Sequence, residues 1–429
     1  MKLLYLIHRL PCPADGGAKL RAAAQLRYLA QRHDVWCAGF LETGPLGRAS
    51  QETRRSLTGL RSMCRDVAAV PLHESLAQVR ALAGLLAGGT ATESYFASGV
   101  LRRRVMQWAG QVGFDAVLAF SSSMAPLALQ VPAPRRVLNL DDLDSRKWAE
   151  SAAGAVWPMK WVYRTEARRL DRRERRWLGS FDASVLISER EASLVEDENL
   201  RRRVHVVGPS TPALVAADLP VVPQQVSLPG EPVIGFVGAM DYGPNVDGAC
   251  WFAEKVWPLI AGSRHDACWW LVGKSPSRAL RRLDNGTSVR VTGTVPEVEP
   301  YLQKMRVCVA PLRIARGAQI KVLMAMTAGR PCVVTPGVAD GLGATPGQDL
   351  LVAESPAEFA DAVLRLLNDD HLAQDVARAG LAFVVDRLRP DASLLRLERL
   401  LTPAAERESV CASAGTMASI CCQTGSLQP

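Results

Sequence analysis

Short apolar runs alternate with longer amphipathic stretches along this chain. LLYLI is followed by GAKLRAAAQLRYLAQR and DVWCAGF, and later come DAVLAF, RVLNL, DASVLIS and RVHVV. Runs this short, rich in β-branched and aromatic residues, read as buried strands, and the stretches between them read as helices. Such alternation predicts parallel strands joined by crossover helices. It lapses over residues 212–231, which hold four prolines and a glycine and read as an interdomain linker. It then resumes with PVIGFVG, a helix over DGACWFAEKVWPLI, ACWWLVG, VRVTG, RVCVAPL, a further helix, PCVVTPG and DLLVA. Continuously apolar strands fit sheets covered on both faces. The expected fold is α/β, with two doubly wound, Rossmann-like parallel-sheet domains facing each other across a cleft, residues 1–211 and 232–388. A closing helix over 389–403 and a small, polar, disordered tail over 404–429 complete the reading. In such sheets ligands bind beyond the carboxyl ends of the strands.

Composition narrows this little. With 429 residues and 48 % hydrophobic content the chain can bury two cores. The 51 basic against 43 acidic residues, a formal charge of +8, favour anionic partners: nucleotide phosphates, nucleic acid or an anionic membrane. The first apolar run, Leu3 to Ile7, is too short for a signal-peptide core. ALAGLLAGG, Ala81 to Gly89, falls well short of the roughly 20 apolar residues a membrane span needs. A cytoplasmic location is expected, with peripheral attachment to the inner face of the membrane left open. The 10 cysteines contain no C-x-x-C pair, so neither a zinc site nor a disulfide framework is signalled, and no cofactor or metal is expected.

Five stretches carry candidate chemistry. In PADGGAKLR, Gly16 and Gly17 let the backbone approach a ligand before a helix N-terminus, or simply form a strand-to-helix turn. In VGAMDYGPNVDG, Gly238 ends a strand and Asn245 or Asp247 is expected to cap the next helix; capping leaves Asp241 and Tyr242 unexplained. RIARGAQIKVLMAM sets Arg313, Arg316 and Lys321 around Gly317 before a helix whose dipole favours negative charge, a cradle for a diphosphate in preference to a solvated basic loop. LNLDDLDSRKW gathers Asp141, Asp142, Asp144 and Lys147 at a strand end, for acid–base chemistry, a divalent ion or a helix cap; Ser121, Ser122 and Ser123 offer hydroxyls to a sugar or make a turn. Residues 148–177 mix Trp148, Trp157, Trp161 and Trp177 with many arginines, which suits an anionic membrane surface or a solvated basic face, with Glu166, Asp171 and Glu174 expected to pair with nearby arginines and dilute the charge.

Together HRLPCPADGGAKLR, SSSMAP, DLDSRKW, FVGAMDYGPNVDGACWFAEKVWP, VTGTVPEVEPYL and VAPLRIARGAQIKVLMAM resemble the GT-B fold glycosyltransferases of the family-4 type. More closely they are similar to the sugar transferases of exosortase/PEP-CTERM exopolysaccharide systems. The resemblance implies transfer of a hexosyl group from a nucleotide sugar to a lipid-linked or polysaccharide acceptor, retaining and without a metal. It implies catalysis by Arg316 and Lys321. Gly16, Gly17, Gly238, Asp241, Tyr242, Arg313, Gly317, Gln319 and Met324 would form the donor side, and Lys19, Arg21, Ser122, Asp144 and Lys147 the acceptor side. The chain departs from the family where K-V-L-E-A-M becomes K-V-L-M-A-M, so that Met324 replaces a ribose-binding glutamate. It departs again at Ile320 in place of asparagine, at Gly16 and Ala18 in place of lysine and aspartate, and at GPSTP in place of N-G-V-D. These losses leave a second reading, a catalytically degenerate binding or assembly protein. Nucleic-acid binding rests on charge alone and lacks a recognisable module.

Overall fold

The computed structural model describes residues 1–14, 17–43, 49–208, 225–315, 319–387 and 390–402. The chain divides into two compact units, one of Met1–Ala14, Gln25–Val207 and Leu394–Pro429, the other of Asp15–Ala24 and Gly208–Ser393. Most of the expected linker, 212–224, and the expected tail lie outside the described residues.

Unit 1 holds seven strands: β1 (Lys2–Ile7), β2 (Asp34–Glu42), β3 (Asp66–Leu72), β4 (Ala116–Phe120), β5 (Arg135–Asp141), β6 (Ala183–Leu186) and β7 (Val204–Val206). They pair in the order β3-β2-β1-β4-β5-β6-β7, every pair parallel. The order reverses between β1 and β4, and at such a switch point neighbouring loops diverge and leave room for a ligand. β1 and β4 are buried along nearly their whole length, as their unbroken apolar sequences require. The sequence pattern misses β3, where DVAAVPL carries a proline. Pro71 cannot donate to a ladder, and β3 tolerates it because it lies at the sheet edge. The closing helix, Pro390–Leu401, packs with this unit: Tyr28 donates to Glu398 Oε2 at 2.9 Å and Arg135 Nε to the Leu400 carbonyl at 2.7 Å.

Unit 2 holds β8 (Val233–Val237), β9 (Cys268–Val272), β10 (Val289–Val291), β11 (Val307–Ala310), β12 (Cys332–Val334) and β13 (Leu351–Val352), ordered β10-β9-β8-β11-β12-β13 and all parallel. Its switch point lies between β8 and β11. The helix expected over DGACWFAEKVWPLI is interrupted: Gly243–Trp251 passes through a π-helical turn at Phe252–Val256 into Trp257–Ser263. Pro258 has no N–H and its ring crowds the preceding turn, and the wider turn accommodates it. The Arg/Trp segment likewise forms two helices, Asp144–Gly154 and Met159–Ser180, parted ahead of Pro158.

Candidate functional site

In unit 1 the ends of β1, β4 and β5 converge chemically. Ser121 and Asp141 adopt φ of 87° and 62°, left-handed backbone that a side chain disfavours by about 1 kcal/mol or more. Strain of this kind on neighbouring strands persists only where the surroundings impose it, and it marks functional loops. The β5–β6 register shifts between Asn139 and Asp141, and the Asn139 side chain accepts from the Asp141 N–H at 3.2 Å. Beyond this bend the buried Ser122 hydroxyl donates to Asp144, while Lys147 Nζ lies 3.2 Å from Asp144 Oδ1 and 3.3 Å from Asp142 Oδ2. Burial works against the charge on Lys147, but Asp144, Asp142 and Asp141 outweigh it and raise its pKa above the usual lysine value.

One of the open readings for the acidic loop falls away: the N-cap position of the helix Asp144–Gly154 is Leu143, which makes no side-chain bond, and none of the loop's aspartates serves as the cap. Among the described residues no group of three or more acidic, histidine or cysteine side chains is gathered around a common point. Ser122, Asp144 and Lys147 are brought into contact with one another. His8, which sequence reasoning passed over, joins them. Its ring lies parallel to Phe120 (12°, centroids 6.2 Å apart) and edge-on to Phe96 at 5.4 Å. Burial pushes its pKa down to about 4, with Asp144 opposing, so His8 is neutral near pH 7. A polar pair, His8 and Arg9, directly after an apolar strand at the switch point was the signal that could have found it.

The loop rests on Glu174 of the helix Met159–Ser180, a buried carboxyl that accepts from the Ser145 N–H at 3.1 Å and from the Ser145 hydroxyl. Of the acids expected to pair with arginines, Asp171 does so, with Arg175 at 3.0 Å. Glu166 and Glu174 instead face inward. Burial, reinforced by Asp144, pushes the Glu174 pKa from 4.5 up to about 8. The folded state therefore binds a proton that the unfolded state has lost between these values, so this group costs stability progressively as pH rises from 4.5 to 8. Glu174→Gln keeps the shape and the contact with Ser145. Its stability relative to wild type should grow by on the order of 2 kcal/mol between pH 5 and 8, read from urea melts at both values.

Unit 2 presents a different chemistry at its own switch point. The helix Ile320–Thr327 buries Ile320, Val322, Leu323, Ala325 and Met326 and leaves Lys321 and Met324 partly exposed one turn apart on the same face. Lys321 lies over Gly235 and Val237 of β8 and Val309 and Ala310 of β11, with its ammonium 5.4 Å from the Phe236 ring centroid. It donates to Asn245 Oδ1. Burial in this apolar setting pulls its pKa from 10.5 down to about 7. A desolvated ammonium hydrogen-bonded to a neutral amide is an anion site in waiting.

Asn245 was expected to cap its helix and does not. Tyr242 occupies the N-cap without a side-chain bond, while Asn245, buried, donates to the Ala239 carbonyl at 2.8 Å and turns its oxygen to Lys321. Asp247 does not cap either; it grips Arg313, with Nε to Oδ2 at 2.9 Å and a second, parallel contact. The charge of Arg313 is thus committed within the protein. Gly238 packs against Asn245, and Asp241 and Tyr242 are exposed just beyond it. Gln319 is the N-cap residue of Ile320–Thr327, Gly17 opens the helix Gly17–Ala30, and Lys19 and Arg21 are buried within that helix. Gly16, Arg316 and Gly317 lie outside the described residues.

Residues 231–369 match the model of the family described as Glycosyl transferases group 1. No curated protein matches the chain. Among solved structures it is similar to sucrose-phosphate synthase (tll1590) from Thermosynechococcus elongatus, at 15 % identity and a TM-score of 0.65, covering 96 % of this chain and 100 % of that one. It is similar also to S. aureus TarM, at 9 % identity and 0.63, covering 94 % and 99 %. A structure of Anabaena Alr3699/HepE in complex with UDP and glucose aligns at 13 % identity and 0.63, covering 94 % and 99 %. The shared fold is the GT-B class, two Rossmann-like parallel-sheet units.

Proposed function

We propose that this chain is a glycosyltransferase that moves a sugar from a nucleotide-sugar donor to an acceptor. The observation that carries the reading is Lys321, a desolvated ammonium with no carboxylate partner among the described residues, at the switch point of a segment matching a glycosyl transferase family. In such a transfer the bond between the anomeric carbon and the diphosphate oxygen breaks as the acceptor hydroxyl oxygen bonds to that carbon; the electron pair leaves with the diphosphate, and the hydroxyl proton passes to the departing diphosphate oxygen. A cation fixed at that oxygen stabilises the charge as it develops; Lys321 takes that role here, and the resemblance gives the same role to Arg316. In unit 1, Ser122, Asp144, Lys147 and neutral His8 offer donors and acceptors suited to acceptor hydroxyls. The resemblance supports a lipid-linked or polysaccharide acceptor in exopolysaccharide synthesis of the exosortase/PEP-CTERM kind. It also supports a retaining, metal-independent reaction inside the cell at the membrane, and the arginines and tryptophans of residues 148–177 suit peripheral attachment there.

Met324 favours a second reading, a degenerate transferase that binds without turnover, since a thioether accepts hydrogen bonds only weakly from ribose hydroxyls. Calorimetric titration of wild type and Met324→Glu with UDP, GDP and their sugar conjugates separates the two. The expected result is binding of one nucleotide, tightened on the order of tenfold by the glutamate, which regains roughly 1 to 3 kcal/mol of hydrogen bonding. Binding of a nucleotide sugar with no hydrolysis or transfer in either variant would establish the degenerate reading. No binding by either variant would end the donor-site assignment.

A further inference from the structure

We infer that unit 1 carries a two-part docking face for an anionic phospholipid bilayer, an aliphatic stripe on the helix Glu74–Leu86 beside an arginine row on the helix Met159–Ser180. This deepens the lipid-linked acceptor of the proposed function by naming the surface that meets the membrane.

The stripe consists of Leu76, Val79, Leu82 and Leu86, exposed to 62, 66, 55 and 70 %. Their spacing of three, three and four residues sets them along one side of three helical turns, while Ala77 and Leu85 are buried on the other. Single exposed leucines are ordinary, but a contiguous aliphatic stripe marks a surface that something covers.

The arginine row arises from the inward turn of the acids. Glu166 accepts from the N–H groups of Ala91 and Thr92 at 2.6 and 2.9 Å, and Glu174 holds Ser145. Arg164, Arg168, Arg172 and Arg176, each four residues from the next, stay exposed with no acidic partner among the described residues. Trp161 and Trp157, 52 and 82 % exposed, precede them. Between this helix and Asp144–Gly154 runs a groove floored by alanines such as Ala152 and Ala167, with Arg164 and Arg168 lining it. The two parts adjoin, because Arg169 donates to the carbonyls of Leu85 and Gly89, the latter at 2.8 Å.

Charge complementarity selects the occupant. Uncompensated arginines suit phosphate head groups, tryptophans the interfacial layer, and the aliphatic stripe the upper acyl chains. A second copy of the chain seated face to face would set one arginine row against another.

Co-sedimentation with mixed phosphatidylcholine and phosphatidylglycerol vesicles, against phosphatidylcholine alone, tests this. Wild type should bind the mixed vesicles, and binding should fall with added salt. Leu76→Gln with Leu82→Gln, and separately Arg164→Gln with Arg168→Gln, should each weaken it on the order of tenfold or more, with melting temperatures and nucleotide binding as in wild type. Retained nucleotide binding separates failure here from failure of the transferase reading. Wild type that ignores the mixed vesicles, or leucine variants that bind them undiminished, would overturn the inference. So would a dimer, seen by sedimentation velocity, that the leucine variants dissolve, because the stripe would then be covered by a second copy.

Discussion

Replacing Lys321 with methionine will weaken binding of a nucleoside diphosphate on the order of a hundredfold and at the same time make the protein more stable. The two effects share one cause. Among the described residues, the ammonium is held by the Asn245 oxygen over an apolar floor formed by β8 and β11, so folding strips it of water and returns one neutral acceptor. Its pKa falls from 10.5 to about 7, which means that below pH 7 the folded protein carries the full cost of a buried charge. Between these values the unfolded chain binds the extra proton, and wild-type stability rises with pH. Methionine removes the cost, about 2 kcal/mol after allowance for partial exposure, and the advantage should fade as pH climbs toward 10.5. Denaturant melts at pH 6 and pH 9 read this directly. A bound diphosphate supplies the missing counter-charge, so wild-type affinity should fall as pH rises above 7, by up to about tenfold per unit, and methionine should flatten the profile. A variant of wild-type affinity, or a pH-independent wild type, would remove Lys321 from the donor site.

Gly273→Ala will cost more stability than any surface change, about 3 kcal/mol or more, and will abolish nucleotide binding. The residue has φ +152°, and a Cβ there would stand 1.7 Å from the Gly238 carbonyl oxygen and 2.8 Å from its carbon. Neither atom can yield cheaply, since Gly238 is itself held by its N–H to the Val272 carbonyl at 3.0 Å. Pushing Gly238 disturbs Asn245, which packs against it, and Asn245 is the partner of Lys321. Packing at a strand end thus reaches Lys321 through Gly238 and Asn245. Gly262→Ala is the control: it lies in the helix Trp257–Ser263 with no atom within 4 Å of its would-be Cβ, and should stabilise by roughly 0.5 to 1 kcal/mol. Thermal melts of the two variants side by side, with nucleotide titration of whatever remains folded, decide the matter.

The strands were legible because parallel sheets covered on both faces demand unbroken apolar runs, and LLYLI, AVLAF and VIGFV supply them. β3 escaped notice because an edge strand is released from that demand and can carry Pro71. The switch-point residues were legible as polar groups following strands, and Ser122, Asp144 and Lys147 do meet. What sequence could not supply was direction. Asn245 and Asp247 have the chemistry of helix caps, yet tertiary partners, Lys321 and Arg313, claim their oxygens. Glu166 sits three residues from Arg169 and Glu174 is flanked on both sides by arginines in sequence, and only burial shows that the two carboxyls turn inward. His8 was overlooked because a lone histidine has no periodicity to betray it; Phe96, Phe120 and Asp144 come from distant parts of the chain.

The left-handed backbone at Ser121 and Asp141 bears on how this protein tolerates sequence change. At both positions glycine would relax the local conformation, so folding alone would steer the sequence toward losing the side chain. A lineage that retains serine and aspartate there is held against that drift by something other than stability. Among variants of this chain, substitutions at these two positions should separate foldability from fitness, and those that improve the first at the expense of the second would trace the outline of the working site.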